Sequence, residues 1–290
     1  IHELGFHPNK LARALVTQHT DTIGLIVDDF ANPFFAELAA AVQASAQAAG
    51  YSIFLCNSAG LWEEELRALD SLVAHGVDGI IVSPSAGLTA ERLSPFADRY
   101  GPIVAVGHAP HHHRIGHIQI ATRRGAHEAV EHLIERGHQR IAMLCGIGAP
   151  AIHHRYHGYR EALLTHGLPL RDELVCTGAT TFERGRASTL ALLTQHPDIT
   201  AIFAYNDLLA LGALRACAEL GRRVPVDCAV VGFDDIPLAD WVSPSLTTVR
   251  VDKAALGGQA VELLLSMLTS PESAPPSVTV ETRLMVREST

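Results

Sequence analysis

Cationic side chains are scarce in this chain of 290 residues: 22 lysines and arginines stand against 31 acidic residues, for a formal net charge of −9. Most of such a surface repels phosphates. The lysines are Lys10 and Lys253, and neither follows a glycine-rich turn, so a P-loop is excluded; there is no G-x-S-x-G elbow either. Cysteine is sparse and scattered (Cys56, Cys145, Cys176, Cys217 and Cys228), with no C-x-x-C pair. That argues against a disulfide framework and for a reducing compartment, the cytoplasm. No apolar run approaches the roughly 20 residues of a membrane span. The longest, such as Ile141–Ile152, are broken by Gly146, Gly148 and Pro150, so no membrane association is expected. The opening segment lacks an apolar signal core and Ile1 is not a natural start, so the chain reads as one that begins partway through a longer protein.

What is present belongs to a globular protein: 48% hydrophobic and 18% charged residues. At about 150 residues per domain the length suggests two domains or lobes. Short apolar runs without alternation recur at Thr22–Val27, Tyr51–Cys56, Gly79–Val82, Ile103–Val106, Ile141–Leu144, Ala201–Ala204 and Cys228–Val231. They predict parallel strands covered on both faces, in an α/β protein with two sheets of five or six strands.

Helical patterns lie between them. Asn32-Pro33 places a capping side chain before a proline, Leu38, Val42 and Ala46 line one face, and Gly50 closes the helix. Leu61–His75 repeats the pattern with Leu66, Leu69, Leu72 and Val73 inward and Gly76 as the stop. Further helices are predicted at Arg123–Arg136, His153–His166, Glu183–Gln195, Asp207–Leu220 and Asp252–Leu268. After Pro244 comes an extended Leu246–Val251, and Ser277–Val286 reads as paired strands whose tail crosses back between lobes.

Several motifs fail on spacing. Gly146-Ile-Gly-Ala-Pro-Ala151 matches a dinucleotide fingerprint, but Pro150 disrupts the helix entry and no acid follows at the right distance, so no cofactor is expected. His111-His112-His113, near His108 and His117, has no acidic or cysteine partner at ligand spacing. His127-Glu128 with His132 misses the zinc-protease spacing by one residue, and no metal site is predicted.

The polar residues just after strands say more. Asp28, Asp29, Asn57, Ser83, His108, Asn206, Asp207, Asp234 and Asp235 all fall at carboxyl ends of predicted parallel strands, where open α/β sheets place ligands. Any one of them can instead cap the next helix, as Asn206 or Asp207 would; jointly they suggest a polar cleft. Phe34 and Phe35 add flat apolar rings beside it, which suits a sugar or polyol: C–H faces stack on a ring while hydroxyls take hydrogen bonds. Arg155 either grips a hydroxyl pair or carboxylate or forms a surface salt bridge.

These residues resemble a known family. Ile23-Gly-Leu-Ile-Val-Asp-Asp-Phe-Ala-Asn-Pro-Phe-Phe-Ala-Glu37 is similar to the opening of the effector-binding core of the LacI/GalR family of bacterial transcription regulators, and of the related periplasmic sugar-binding proteins. Glu135-Arg-Gly-His-Gln-Arg-Ile141, Ala204-Tyr-Asn-Asp-Leu-Leu-Ala-Leu-Gly212, Val231-Gly-Phe-Asp-Asp235 and Pro244-Ser-Leu-Thr-Thr248 match in the same order. Gly5-Phe-His-Pro-Asn-Lys-Leu-Ala-Arg-Ala-Leu15 resembles the end of the DNA-binding headpiece and the hinge helix, with Asn9, Arg13 and a minor-groove wedge, Leu15.

The resemblance implies a two-lobed, periplasmic-binding-protein-like α/β fold and a homodimer. Residues 1–20 would be the headpiece end and hinge, 21–121 with 248–281 the N-terminal lobe, and 122–247 with 282–290 the C-terminal lobe. A small effector (sugar, polyol or sugar acid) would sit between lobes, contacted by Asp29, Asn32, Phe34, Phe35, Ser83, His108, Arg155, Asn206 and Asp234. Operator DNA would be bound only through the absent headpiece.

There are departures too. Gly107-His108 replaces an Asp-Arg pair common in sugar-binding members, Ala121-Thr122 replaces Asp-Asn, and Thr180 stands where purine and galactoside binders carry an aromatic. Histidines at 108, 153, 154 and 157 suggest a cleft able to take an anionic sugar acid. The expectation is therefore a repressor core without enzymatic activity. Its rivals are a periplasmic solute-binding protein, which would be secreted and monomeric, and a sugar-modifying enzyme using Asp28 or Asp234, for which no second acid stands at working distance.

Overall fold

The structure, a computed structural model, describes residues 19–85, 87–107, 114–270 and 277–290. They divide into two compact units, one taking the described residues up to Gln119 with Lys253–Val280, the other Ile120–Asp252 with Glu281–Thr290. The chain therefore passes from unit to unit three times.

Unit 1 begins with β1 (Thr22–Val27), α1 (Pro33–Ala48), β2 (Ser52–Asn57), α2 (Trp62–Ala74), β3 (Gly79–Val82), α3 (Ala90–Tyr100), β4 (Ile103–Val106) and β5 (Ile115–Ile120). Unit 2 contains α4 (Thr122–Glu135), β6 (Ile141–Cys145), α5 (His154–Thr165), β7 (Val175–Thr177), α6 (Phe182–Gln195), β8 (Ala201–Ala204), α7 (Asp207–Glu219), β9 (Ala229–Asp234), α8 (Leu238–Trp241) and β10 (Thr247–Val251). Next come α9 (Lys253–Thr269) and β11 (Ser277–Val280) of unit 1 and β12 (Thr282–Met285) of unit 2. The sheets run β11-β5-β4-β3-β1-β2 and β12-β10-β9-β8-β6-β7. Neighbours from β1 to β5 are parallel, as are those from β6 to β10, while β12 is antiparallel to β10.

Apolar runs explain the central strands: β3, β4, β6 and β8 are buried at every position. β2 departs from the expectation of cover on both faces. It is the edge strand, pairs with β1 alone, and leaves Phe54 and Leu55 46% and 45% exposed. Helix signals also work locally: the Asn32 side chain accepts from the Phe34 amide at 3.1 Å, Leu38, Val42 and Ala46 are buried, and Gly50 takes φ 86° after the helix. In α2, Leu69 and Leu72 join Ile26, Ile80 and Leu93 in the core, and Glu65 is buried alongside, which periodicity did not suggest. Close helix pairs meet at glycines. A Cβ on Gly158 of α5 would lie 2.2 Å from the Arg123 carbonyl of α4, and one on Gly212 of α7 2.2 Å from the Phe182 carbonyl of α6.

Boundaries differ from the sequence reading where pairing decides them. β10 continues to Val251 in register with β9 and β12, so the chain leaves unit 2 after Asp252 rather than after residue 247. The first handover falls after Gln119, not residue 121. Ser277–Val286 is not a hairpin: β11 joins the first sheet and β12 the second, with the handover after Val280, not residue 281. Among the described residues no helix is long and apolar enough to cross a membrane.

Candidate functional site

Because β1 to β5 run parallel in one sheet and β6 to β10 in the other, the carboxyl ends of each set share one edge, and the described polar residues singled out in the sequence gather there. In unit 1, Asp28 and Asp29 follow β1, Asn57 ends β2 and Ser83 follows β3. A tight turn carries the chain from β1 into α1: the Asp29 carbonyl accepts from Asn32 N (3.1 Å), Asp29 Oδ1 from Ala31 N (2.9 Å), and Asn57 Oδ1 from Phe30 N (3.0 Å). Asn32 is buried and serves as the α1 cap. Phe34 is 7% exposed and belongs to the core, with Phe35 against it edge-on at 5.1 Å and partly exposed. Ser83 donates its amide to the Ile26 carbonyl at 2.9 Å, extending the β1–β3 ladder.

The loop after Ser83 is anchored by Glu65, whose carboxylate accepts from Ser85 N (2.6 Å) and Ser85 Oγ (2.8 Å). Arg92 lies 3.7 Å over the Trp62 ring and donates to the Gly87 carbonyl. Burial raises the pKa of Glu65 despite the serine bonds, and burial with the neighbouring Asp29 charge raises that of Asp28.

Unit 2 builds its edge around an arginine. Arg155, in the first turn of α5, donates from Nη2 to Asp234 Oδ1 at 3.2 Å, with both side chains largely buried (14% and 6% exposed). Its guanidinium carbon lies 4.3 Å from the Tyr205 ring centroid and 4.1 Å from that of Phe233, so the cation rests against two aromatic rings. Nε is buried without a hydrogen-bond partner among the described residues. A surface ion pair is thereby replaced by a semi-buried, aromatic-walled one.

Asp234 and Asp235 adopt φ 110° and 52°, uncommon for residues other than glycine. The bend is held by Asp235, whose carboxylate takes Arg250 Nε at 2.6 Å and Arg287 Nη2 at 2.7 Å and has its pKa lowered by them against the effect of burial. Asn206 is 3% exposed; its Oδ1 caps α7 at Leu209 N (2.9 Å) and its Nδ2 donates to the Thr180 carbonyl (3.1 Å). Asp207 is fully buried, bonded to Ile236 N (2.8 Å) and the Thr248 hydroxyl (2.5 Å). Burial and the nearby Asp234 charge push its pKa well up, toward a neutral carboxylic acid.

Of the candidates, then, Asp29, Asn32, Phe34 and Phe35 form one cluster in unit 1, with Ser83 just past the end of the neighbouring strand β3. Arg155 and Asp234 are in direct contact in unit 2, and Asn206 caps the helix beside them. His108 and the hinge residues Asn9, Arg13 and Leu15 lie outside the described residues. Missed by the sequence reading were Tyr205 and Phe233, each directly preceding a residue it had chosen.

Of the four histidines singled out, two bond to the backbone, and His108 lies outside the described residues. His153 Nε2 faces the Ile147 carbonyl and His157 Nε2 the Ala151 carbonyl, each at 2.9 Å. A carbonyl only accepts, so these nitrogens carry protons spent on the backbone.

Comparison with known proteins places this geometry among relatives. Residues 130–290 match the family model of the periplasmic binding protein-like domain. The HTH-type transcriptional regulator CelR of Thermobifida fusca is 36% identical, over 100% of this chain and 87% of that protein. The ribose operon repressor of Halalkalibacterium halodurans is 34% identical, over 100% and 86%. A solved complex of the regulator CelR with cellobiose superposes with a TM-score of 0.85 at 33% identity, covering 100% of this chain and 88% of that one.

Proposed function

The chain belongs to the LacI/GalR family of bacterial transcription regulators, and from that premise we propose that it is the effector-binding and dimerisation core of a repressor whose effector is a neutral sugar. The related proteins are regulators and a repressor, which decides against a transporter's solute-binding protein. A regulator acts where the DNA is, so the cytoplasm follows, and no catalytic step is part of this reading.

One observation carries the choice of ligand: the guanidinium of Arg155, 14% exposed, stands 3.2 Å from the carboxylate of Asp234. The pair offers a donor and an acceptor side by side. A hydroxyl uses both, accepting from the guanidinium and donating to the carboxylate. A ligand carboxylate or phosphate would use only the first and face the charge of Asp234. Of the histidines, His153 and His157 each spend Nε2 on a backbone carbonyl, which weakens the case for an anion. The strand-end edge of unit 1, taken by itself, carries Asp28, Asp29 and the partly exposed ring of Phe35, residue types that suit hydroxyls and a C–H face and disfavour negative charge. The related regulator solved with cellobiose carries a neutral sugar of this class.

A sugar that binds one conformational state of the dimer better than another shifts their populations, and operator and sugar affinities are then reciprocally coupled. The segment carrying Asn9, Arg13 and Leu15 would supply the DNA contact. The test is a thermal-shift panel of cellobiose, ribose, glucuronate, gluconate and glucose 6-phosphate. A true effector at a hundred times its Kd adds about 2.7 kcal/mol, several degrees of Tm. Stabilisation by a neutral sugar, abolished in Arg155→Met, is the expected result. Stabilisation by an acid or phosphosugar alone would overturn the proposal.

A further inference from the structure

We propose that Tyr205 is a positioning residue for Arg155, and that with His153 it ties the Gly146–Ile152 segment to the arginine. The inference rests on the reading of Arg155 as an effector-binding group. It concerns a contact chain that runs entirely within unit 2.

The two rings around the guanidinium are not equivalent. Phe233 is fully buried in β9 and is fixed by the core. Tyr205, one residue beyond β8, is tied to β6 by its amide, which donates to the Leu144 carbonyl at 2.8 Å, but its ring is only partly buried. What holds it is His153, whose ring meets it edge-on at 5.2 Å and 72°. His153 is in turn fixed by Nε2 donating to the Ile147 carbonyl at 2.9 Å.

Gly146 leaves room for both rings: a Cβ there would stand 3.1 Å from His153 Cε1 and 3.4 Å from Tyr205 Cε2, closer than the histidine tolerates without shifting. The order of contacts is therefore Ile147 carbonyl, His153, Tyr205, Arg155, Asp234. Arg155 has one hydrogen bond to Asp234 on Nη2 and none on Nε, so hydrogen bonding alone does not fix the plane of the guanidinium. The two ring faces do, and Tyr205 is the face that the preceding loop can move.

The consequence is chemical. Two rings lie against the guanidinium and Nε is buried, so a ligand would meet the arginine through its terminal N–H groups, on the side where Nη2 faces Asp234. Planar presentation favours two neighbouring oxygens over a single one. Removing Tyr205 frees the plane and loses that geometry, although no atom of Tyr205 has to touch the sugar.

The first arm of the test needs no ligand. In a ¹⁵N–¹H spectrum of arginine Nε–Hε groups, the Arg155 signal is assigned by its loss in Arg155→Met. Between two rings it should be shifted upfield and give a rigid heteronuclear NOE. Tyr205→Ala should move it toward the free-arginine position with a reduced NOE, His153→Ala should move it part of the way, and Tyr205→Phe should leave it in place. The second arm titrates cellobiose calorimetrically: Tyr205→Ala should weaken binding tenfold or more, Tyr205→Phe less than twofold. An Arg155 signal unmoved in Tyr205→Ala, or a Tyr205→Phe protein as impaired as Tyr205→Ala, overturns the proposal. If the wild-type protein gives no heat with cellobiose, the choice of that sugar fails, and the spectrum still decides whether Tyr205 positions Arg155.

Discussion

Removing the charge of Asp234 probes how much of unit 2 depends on the buried ion pair. In Asp234→Asn the guanidinium of Arg155 stays between Tyr205 and Phe233, 86% shielded, without its counter-charge. Removing one member of a buried pair costs about 3–5 kcal/mol, because the other is left desolvated and uncompensated. Two features pull toward the low end: both rings still attract the cation, and asparagine keeps an acceptor and tolerates the φ of 110°. A loss near 3 kcal/mol, at roughly 2–4 °C per kcal/mol, lowers Tm by about 6–12 °C.

The pairing itself is read from a double-mutant cycle. Arg155→Met alone strands the carboxylate and should also destabilise, whereas Arg155→Met/Asp234→Asn removes both charges and should cost less than the sum of the singles by about 2 kcal/mol or more. Urea unfolding followed by circular dichroism supplies the numbers. An Asp234→Asn protein within about 0.5 kcal/mol of wild type, the range of an exposed pair, would refute the reasoning, and so would an additive double mutant.

Two further outcomes follow from the same edge and from the helix layer. Asp207 has its pKa raised by burial, so the folded state holds a proton that the unfolded state releases, and stability is complete below the ordinary carboxylate range and falls as pH rises toward the folded value. Asp28 and Glu65 shift in the same direction, so the informative quantity is the difference between wild type and Asp207→Asn. The amide can keep both the Ile236 and Thr248 bonds, and the variant should gain on wild type with rising pH by at most about 1.4 kcal/mol per unit; a flat difference from pH 4 to 8 counts against a neutral Asp207. Gly212→Ala sets a Cβ 2.2 Å from the Phe182 carbonyl and 2.5 Å from Arg186 N, both backbone atoms, and should cost about 1–3 kcal/mol in a melting experiment, with an unchanged Tm arguing that α6 and α7 pack more loosely.

Legibility followed locality. The buried parallel strands announced themselves because every side chain of Ile141–Cys145 or Ala201–Ala204 faces a covered side, and runs of four or five apolar residues are too short for a buried helix. What escaped was structure whose cause lies elsewhere in the chain. β5 reads Ile-Gly-His-Ile-Gln-Ile, and its His117 is buried only because the sheet surrounds it. β7 has three residues and exists by pairing with β6. α3 carries Pro95 in its interior, which removes the usual signal. β2 looked as apolar as its neighbours, yet its place at the edge leaves it exposed.

The same rule separates the parts of the site. Asn32 and Asn206 bond to amides two and three residues away, so their capping role was visible as one of two open readings. Nothing local said which of Asn206 and Asp207 would cap; that follows from Asp207 reaching Ile236 and Thr248, 29 and 41 residues on, across the tops of β9 and β10. The aromatic contacts of the cation are less local still, since Arg155 begins a helix, Tyr205 follows β8 and Phe233 lies within β9. A sequence can nominate a residue for its own chemistry, as it did for Arg155 and Asp234. It does not reveal which rings will lie against a cation, because the packing of Tyr205 and Phe233 on Arg155 is decided by segments about 50 and 80 residues further along the chain.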